Sequence, residues 1–264
     1  MIEVKNVTKK YGKTTALDDI SFTIKEGEIV GLLGPNGAGK STTMNILTGF
    51  IEQTEGDVII DGYDTFKKPK KARKEIGYMP EGVPLYTELT VKEFITYLAE
   101  IKKVNKNEKK EKIKKIIEQT GLEDVKNKLI RNLSRGYKQR VSMAGALVGE
   151  PKILILDEPT VGLDPKQITE IRSLIKKLGK NHTIILSSHI LSEVSQICNK
   201  VIIINKGKII AVDTPENLEH KFDSNNSVYV TIEDDGKDLS QVKENIKDIK
   251  KIELLKKNDD GTAQ

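Results

Sequence analysis

Gly34-Pro35-Asn36-Gly37-Ala38-Gly39-Lys40-Ser41-Thr42 follows the apolar run Glu28-Ile29-Val30-Gly31-Leu32-Leu33 and precedes Thr43-Met44-Asn45-Ile46-Leu47-Thr48. A buried strand, a glycine-rich turn and a helix in that order form the context a phosphate-binding loop needs. Gly34, Gly37 and Gly39 allow the backbone to curl with its N–H groups inward, in conformations a side chain would obstruct. Lys40 is long enough to reach β and γ phosphates, and the Ser41 hydroxyl is a ligand type suited to magnesium. A helix opening near Gly39 adds the partial positive charge of its N-terminus. Asn36, Gly37, Ala38, Gly39, Lys40, Ser41 and Thr42 are therefore the candidate nucleotide-binding stretch.

A second acidic motif lies downstream at Ile153-Leu154-Ile155-Leu156-Asp157-Glu158-Pro159. Four consecutive apolar residues predict a strand buried on both faces, as in a parallel sheet. Two carboxylates at its C-terminal end stand where open α/β sheets bind ligands. Asp157 is placed to hold magnesium directly or through water, and Glu158 to accept a proton from, or orient, an attacking water. Another buried strand, Thr183 to Leu186, ends at Ser187-Ser188-His189. His189 fits either a structural residue or a catalytic one at a strand's C-terminal edge. Tyr11, before Gly12-Lys13, fits either an apolar cap or an aromatic face for a base.

Between the two motifs the pattern turns helical. Thr90-Val91-Lys92-Glu93 is a capping box opening a helix to about Lys103. A helix from about Glu108 to Thr120 buries Ile113, Ile116 and Ile117 and stops at Gly121. In Leu133-Ser134-Arg135-Gly136-Tyr137-Lys138-Gln139-Arg140, Ser134 N-caps a helix to about Val148. Asp164 N-caps the next helix, with Pro165 at N1 and Gln167 able to complete a capping box. Ile2–Val7, Ile20–Ile24, Asp57–Asp61 and Ile76–Met79 read as strands, 67–75 as a basic helix, and 201–204 with 208–212 as a hairpin. After a linker at 224–227, a strand at 228–232, a helix at 239–249 and a strand at 251–255 form a βαβ appendage with a frayed end at 258–264.

The 264 residues suit one large domain with a small appendage. Net charge is only +5, from 44 basic and 39 acidic residues that interleave, so no nucleic-acid partner is expected. The single cysteine, Cys198, excludes an internal disulfide and any cysteine-rich metal site. The start Met1-Ile2-Glu3-Val4 has no signal-sequence pattern. No apolar run approaches the roughly 20 residues that span a bilayer, so any membrane part is expected from another chain.

Taken in order, these motifs resemble the ATP-binding subunit of ABC transporters, over residues 1 to about 221. GPNGAGKST is similar to the Walker A loop, ILILDEP to the Walker B strand, LSRGYKQR to the signature, GLDP to the D-loop and His189 to the switch histidine. Tyr11 sits where the adenine-stacking aromatic would be. Arg135 and Tyr137 depart from the usual signature, while Ser134 and Gly136 remain, and Glu81 stands at the Q-loop glutamine. Both departures look like the ABC-2 export branch. The resemblance implies an α/β fold: a P-loop NTPase core with a mixed/parallel sheet and an N-terminal antiparallel β subdomain. It also implies a helical insert at about 83–150, within a domain of residues 1–221, followed by the 222–264 appendage. It implies ATP and Mg²⁺ as cofactors, with Ser41, Asp157 and Glu81 around the metal, and Glu158 and His189 as catalytic residues. Ser134 and Gly136 would serve in trans and Asp164 in the D-loop. The implied partners are an ABC-2-type permease and a second copy or paralogue, at the cytoplasmic face of the membrane. A soluble ABC-type ATPase acting on ribosomes or DNA is the alternative.

Overall fold

Strand β3 (Ile29–Leu33) is buried at all five positions. Its residues divide between two cores by the period of two that a pleated strand imposes. Ile29 and Leu33 join a core with the helical insert, whereas Val30 and Leu32 face a core shared with the N-terminal strands. The computed structural model describes residues 1–82, 85–218, 232–233 and 262–263. The chain separates into two units, Met1–Leu218 and Glu219–Gln264.

The first unit opens with β1 (Ile2–Tyr11) and β2 (Thr14–Ile24), and β3 runs into α1 (Lys40–Leu47). Then come β4 (Glu55–Ile60), β5 (Tyr63–Asp64), α2 (Pro69–Lys74) and β6 (Ile76–Met79). The insert comprises α3 (Val91–Ile101), α4 (Lys106–Thr120) and α5 (Arg135–Leu147). The remainder is β7 (Ile153–Leu156), α6 (Pro165–Leu178), β8 (Thr183–Ser188), α7 (Leu191–Val194), β9 (Lys200–Asn205) and β10 (Lys208–Asp213).

Strands β10-β9-β3-β8-β7-β6 form one sheet, and β2-β1-β4-β5 form a separate antiparallel one. Within the larger sheet β9, β3, β8, β7 and β6 are parallel, and only the edge hairpin strand β10 is antiparallel. This is the α/β P-loop NTPase arrangement with its antiparallel β layer. The order places β3, β8 and β7 side by side, so the segments leaving their C-terminal ends meet at one edge.

The helix ends follow local chemistry. Thr90 accepts from the Glu93 backbone N–H while Glu93 returns a carboxylate to the Thr90 N–H, completing the expected box. Gly121 closes α4 in the left-handed conformation, and Ile113, Ile116 and Ile117 are buried. Burying such aliphatic side chains contributes about 2 kcal/mol each, which holds a helix whose other face is almost wholly charged. Asp164 caps α6 through the Gln167 N–H. The Gln167 side chain lies beside Gly136, where an added Cβ would stand 3.0 Å from its Cδ.

Both N-terminal strands run longer than their hydrophobic alternation suggests. Asn6 and Asp19 have left-handed φ of 50° and 52°, and the β1–β2 register shifts between Val4 and Lys10. Such bulges break the period of two while the ladder continues.

In the second unit β11 (Ile232–Glu233) pairs antiparallel with β12 (Thr262–Ala263), where the sequence predicts a frayed end. Backbone pairing needs no apolar pattern, which is why this one left no sequence signal. The linker at 224–227, the helix at 239–249, the strand at 251–255 and His220 lie outside the described residues, as does the strand at 228–232 except for Ile232.

Helix α7 packs directly over β3. A Cβ on Gly31 would stand 2.0 Å from Val194 Cγ1 and 3.3 Å from Cys198 Sγ. Gly31→Ala is therefore expected to lower stability by about 1–3 kcal/mol through overpacking, a fall of several degrees in thermal melting. An unchanged melting temperature would contradict this packing. Cys198 is buried, and burial pushes its thiol up to about 12.

Candidate active site at the ends of β3, β7 and β8

The loop between β3 and α1 is shaped by close approaches. A Cβ on Gly34 would fall 2.2 Å from the Ile204 carbonyl oxygen, and one on Gly39 2.7 Å from Leu17 Cδ2. Gly37 and Gly39 have φ of 78° and 112°, a region that favours glycine. Helix α1 starts at Lys40 with no side-chain cap, so its first N–H groups remain available to a ligand.

These residues wall a cleft of about 450 Å³. Asn36, Gly37, Gly39, Lys40, Ser41 and Thr42 form one side, and Glu81, Glu158, Val161 and His189 the other, with Ala16 at the margin. Lys40 is 6% exposed, and its Nζ donates to the Gly34 carbonyl at 2.8 Å and the Pro35 carbonyl at 3.3 Å. It also stands 3.5 Å from Glu158 Oε1. A ligand phosphate entering the loop competes with these three acceptors for the ammonium.

Glu158 is 7% exposed and holds a left-handed φ of 47°. A non-glycine residue there is strained by roughly 1–2 kcal/mol and persists only where its surroundings over-determine it. Three contacts do so. The Glu158 N–H donates to Ser187 Oγ at 2.7 Å, and Ser187 Oγ donates to Asp157 Oδ1 at 2.6 Å. His189 Nδ1 lies 3.1 Å from Glu158 Oε2. On the far side Gln139 Nε2 donates to the Pro159 carbonyl at 2.7 Å, tying α5 to the same turn.

Asp157 is 4% exposed and lies beneath the wall rather than in it. Its negative charge, together with burial as the larger cause, pushes the Tyr78 hydroxyl up to about 12. Ser41, Glu81 and Asp157 offer only hydroxyl and carboxylate oxygens, the donor set a hard divalent cation takes. One oxygen of Asp157 is already engaged by Ser187.

Several expected residues sit elsewhere. Tyr11 ends β1, paired with Thr14, 49% exposed, with Lys9 Nζ 4.9 Å from its ring centre. It is not among the described wall residues, where Ala16 stands instead. Ala38 is buried, its N–H donating to Pro35 and its carbonyl accepting from Gly207. Ser134 accepts the Tyr137 N–H and caps α5. Neither Ser134 nor Gly136 is a described residue of the cleft wall. The turn around them packs on its own chain's 162–164 loop, since a Cβ on Gly162 would meet Arg135 Cζ at 2.2 Å.

Ser187 was not singled out by sequence. A serine ending a buried strand carries no spacing signal; only the pairing of β7 with β8 sets it beside Asp157 and Glu158. Ser187→Ala would leave the buried Glu158 N–H without its acceptor, at a cost of about 1–3 kcal/mol. The expected result is an order-of-magnitude fall in kcat for nucleotide hydrolysis, with nucleotide affinity kept; wild-type kcat in Ser187→Ala would contradict that assignment.

Residues 17–161 match the family model described as ABC transporter. The chain is 40% identical over 235 residues to an uncharacterized ABC transporter ATP-binding protein, YhcH, of Bacillus subtilis, covering 88% of this chain and 75% of that one. It is 42% identical over 212 residues to the bacitracin transport ATP-binding protein BcrA of Bacillus licheniformis, covering 80% of this chain and 68% of that protein. Among solved structures, it is similar to the dimeric post-hydrolysis state of the ATP-binding cassette MJ0796 bound to ADP and phosphate. That likeness has a TM-score of 0.72 at 30% identity, covering 81% of this chain and 99% of that one.

Proposed function

The chain belongs to the ABC transporter family as an ATP-binding, ATP-hydrolysing subunit, and on that premise we propose how its own residues divide the work. Two such subunits pack head to tail. Each ATP then lies between the 34–42 loop of one and Ser134 and Gly136 of the other. The observation that carries this reading is the split itself: Lys40, Ser41, Glu158 and His189 share one cleft, while Ser134 and Gly136 at the capped N-terminus of α5 are not among its described wall residues. A helix N-terminus with a serine cap and a glycine two positions on suits a γ phosphate presented by a partner.

Within the closed pair Lys40 leaves the Gly34 and Pro35 carbonyls for the β and γ phosphates. Glu158 is thereby released from Lys40 and accepts a proton from the water that attacks the γ phosphorus. His189 holds the Glu158 carboxylate and reaches the γ phosphate from the other wall. Asp164, at the start of α6, belongs to the face that meets the partner subunit. Ser41, Asp157 and Glu81 would hold magnesium, which would supply neutralisation of the charge that develops during phosphoryl transfer. Tyr11, at the hairpin tip, stacks on the adenine once the nucleotide extends beyond the described wall.

No helix among the described residues is long and apolar enough to cross a membrane. ABC transporter ATPases dimerise and pair with transmembrane permease subunits. For this chain we assign an ABC-2-type exporter permease, with the ATPase peripheral on the cytoplasmic face. The likeness to a bacitracin transport ATP-binding protein supports a transport role. Glu81, Arg135 and Tyr137 point to the ABC-2 branch by their resemblance to its motifs.

Mixing two defective chains tests the head-to-tail site. Lys40→Ala and Ser134→Arg are each expected to be inactive alone. Together they leave one intact composite site per heterodimer and recover up to about a quarter of wild-type hydrolysis by statistical pairing. No recovery, with both chains folded and mixed dimers present, would refute the arrangement.

A further inference from the structure

A second polar cluster, buried at Thr160 and Glu193, takes no part in the chemistry proposed for the cleft. Thr160 Oγ1 donates to Glu193 Oε2 at 2.6 Å, and both residues are under 9% exposed. Glu193 sits on α7, four positions after His189, and Thr160 is two positions after Glu158. Its other oxygen, Oε1, faces Arg172 Nη2 at 3.8 Å. Arg172 projects from α6, the helix that Asp164 caps, and its Nη1 donates to Gln196 Oε1 at 2.7 Å. Arg172 Nε is buried without a hydrogen-bond partner, the one such side-chain atom among the described residues.

A buried unpartnered donor calls for a physical reason. In a guanidinium, Nε–H and one Nη2–H point along the same edge and together match a carboxylate bidentately. The long Nη2···Oε1 separation and the unpaired Nε thus describe one edge of a fork facing Glu193 and not yet closed on it. A movement of about 1 Å would bring Nη2 into a charge-assisted bond of about 2.8 Å with Glu193 Oε1, with the unpartnered Nε on the same edge.

We propose that Arg172 is a positioning residue that closes on Glu193 when the partner subunit engages the Asp164 end of α6. This rests on the head-to-tail reading. Closure pulls Glu193, and with it Thr160 and the first turn of α7, into one rigid unit. Glu158 and His189 flank that unit, so their contact becomes fixed only in the assembled dimer. Hydrolysis is thereby withheld from a subunit whose partner is absent.

A double-mutant cycle on the full chain tests it. Arg172→Met and Glu193→Gln are each expected to lower kcat about tenfold with KM for ATP within about twofold, and the double variant to be no worse than either single one. Arg172→Lys, which keeps the charge but loses the fork, is expected to stay as low as Arg172→Met. Effects that multiply, a wild-type kcat in either single variant, or full rescue by lysine would overturn the proposal. Should Arg172→Met melt below the assay temperature, the lysine variant alone decides in the same way. A readout independent of turnover separates this from failure of the head-to-tail reading. In the dimer held by Mg²⁺ and a non-hydrolysable ATP analogue, the ring ¹⁵N resonances of His189, identified with His189→Gln, are expected to differ between wild type and Arg172→Lys. Unmoved resonances in that dimer would sink the proposal, whereas failure of the wild-type chain to dimerise would instead count against the head-to-tail reading.

Discussion

Glu158→Gln is expected to bind Mg·ATP, hydrolyse it about 10²–10³-fold more slowly than wild type, and accumulate as an ATP-bound dimer. The amide keeps the length and volume of the carboxylate, so the left-handed turn at Glu158, built on backbone contacts with Ser187, is retained. What disappears is the ability to take a proton from water. Two electrostatic consequences follow from the geometry. The 3.5 Å contact with Lys40 is lost, so the ammonium has one competitor fewer when phosphates arrive. A negative charge beside the γ phosphate is also removed. Both act in the same direction, and nucleotide affinity is expected to hold or rise while turnover falls. Size-exclusion chromatography with light scattering, with and without Mg·ATP, reads the dimer; a phosphate-release assay reads the rate. Turnover at the wild-type rate would remove Glu158 from the role of base.

Lys40→Ala is expected to act on the other side of the same contact, weakening Mg·ATP binding by about 10–100-fold. That range corresponds to losing one charged donor worth about 1.5–3 kcal/mol. The substitution leaves the loop's backbone N–H groups and the open N-terminus of α1 in place, so binding is weakened rather than erased. It also strips Glu158 of its nearest cation. His189 then remains the one basic side chain within 4 Å of that carboxylate among the described residues. Lys40→Arg separates the causes, because it restores the charge near Glu158 while its planar fork cannot follow the ammonium into a loop with carbonyls at 2.8 and 3.3 Å. Isothermal titration with Mg·ATP reads the affinity, and an alanine variant that binds as tightly as wild type would contradict the placement of Lys40 at the phosphates.

Much of this molecule was legible before any coordinates. The apolar runs 29–33, 153–156 and 183–186 name the central strands, because a strand covered on both faces leaves no polar position to interrupt it. Thr90, Ser134 and Asp164 carry the side-chain caps that their spacing predicts, whereas the Asn105 cap starts α4 two residues before the predicted Glu108. Capping is settled within three or four residues, inside the range that sequence spacing can report. The phosphate loop was readable for the same reason: its glycines, lysine and serine are neighbours in the chain.

What escaped that reading depends on which strand lies beside which. Ser187 reaches Glu158 across 29 residues, and Lys40 faces it across more than a hundred, only because β3, β8 and β7 are adjacent in the sheet. The bulges at Asn6 and Asp19 carry the β1–β2 hairpin out to Tyr11 and leave that ring outside the described cleft wall. By itself the sequence determined the central strands, most of the helices and their caps, and the local chemistry of the site loops. The tertiary structure alone decided which loops share a cleft, and why Glu158 adopts a backbone conformation its own residue type disfavours. Periodicity and capping act along the chain, whereas strand order is chosen by the burial of two whole sheet faces at once.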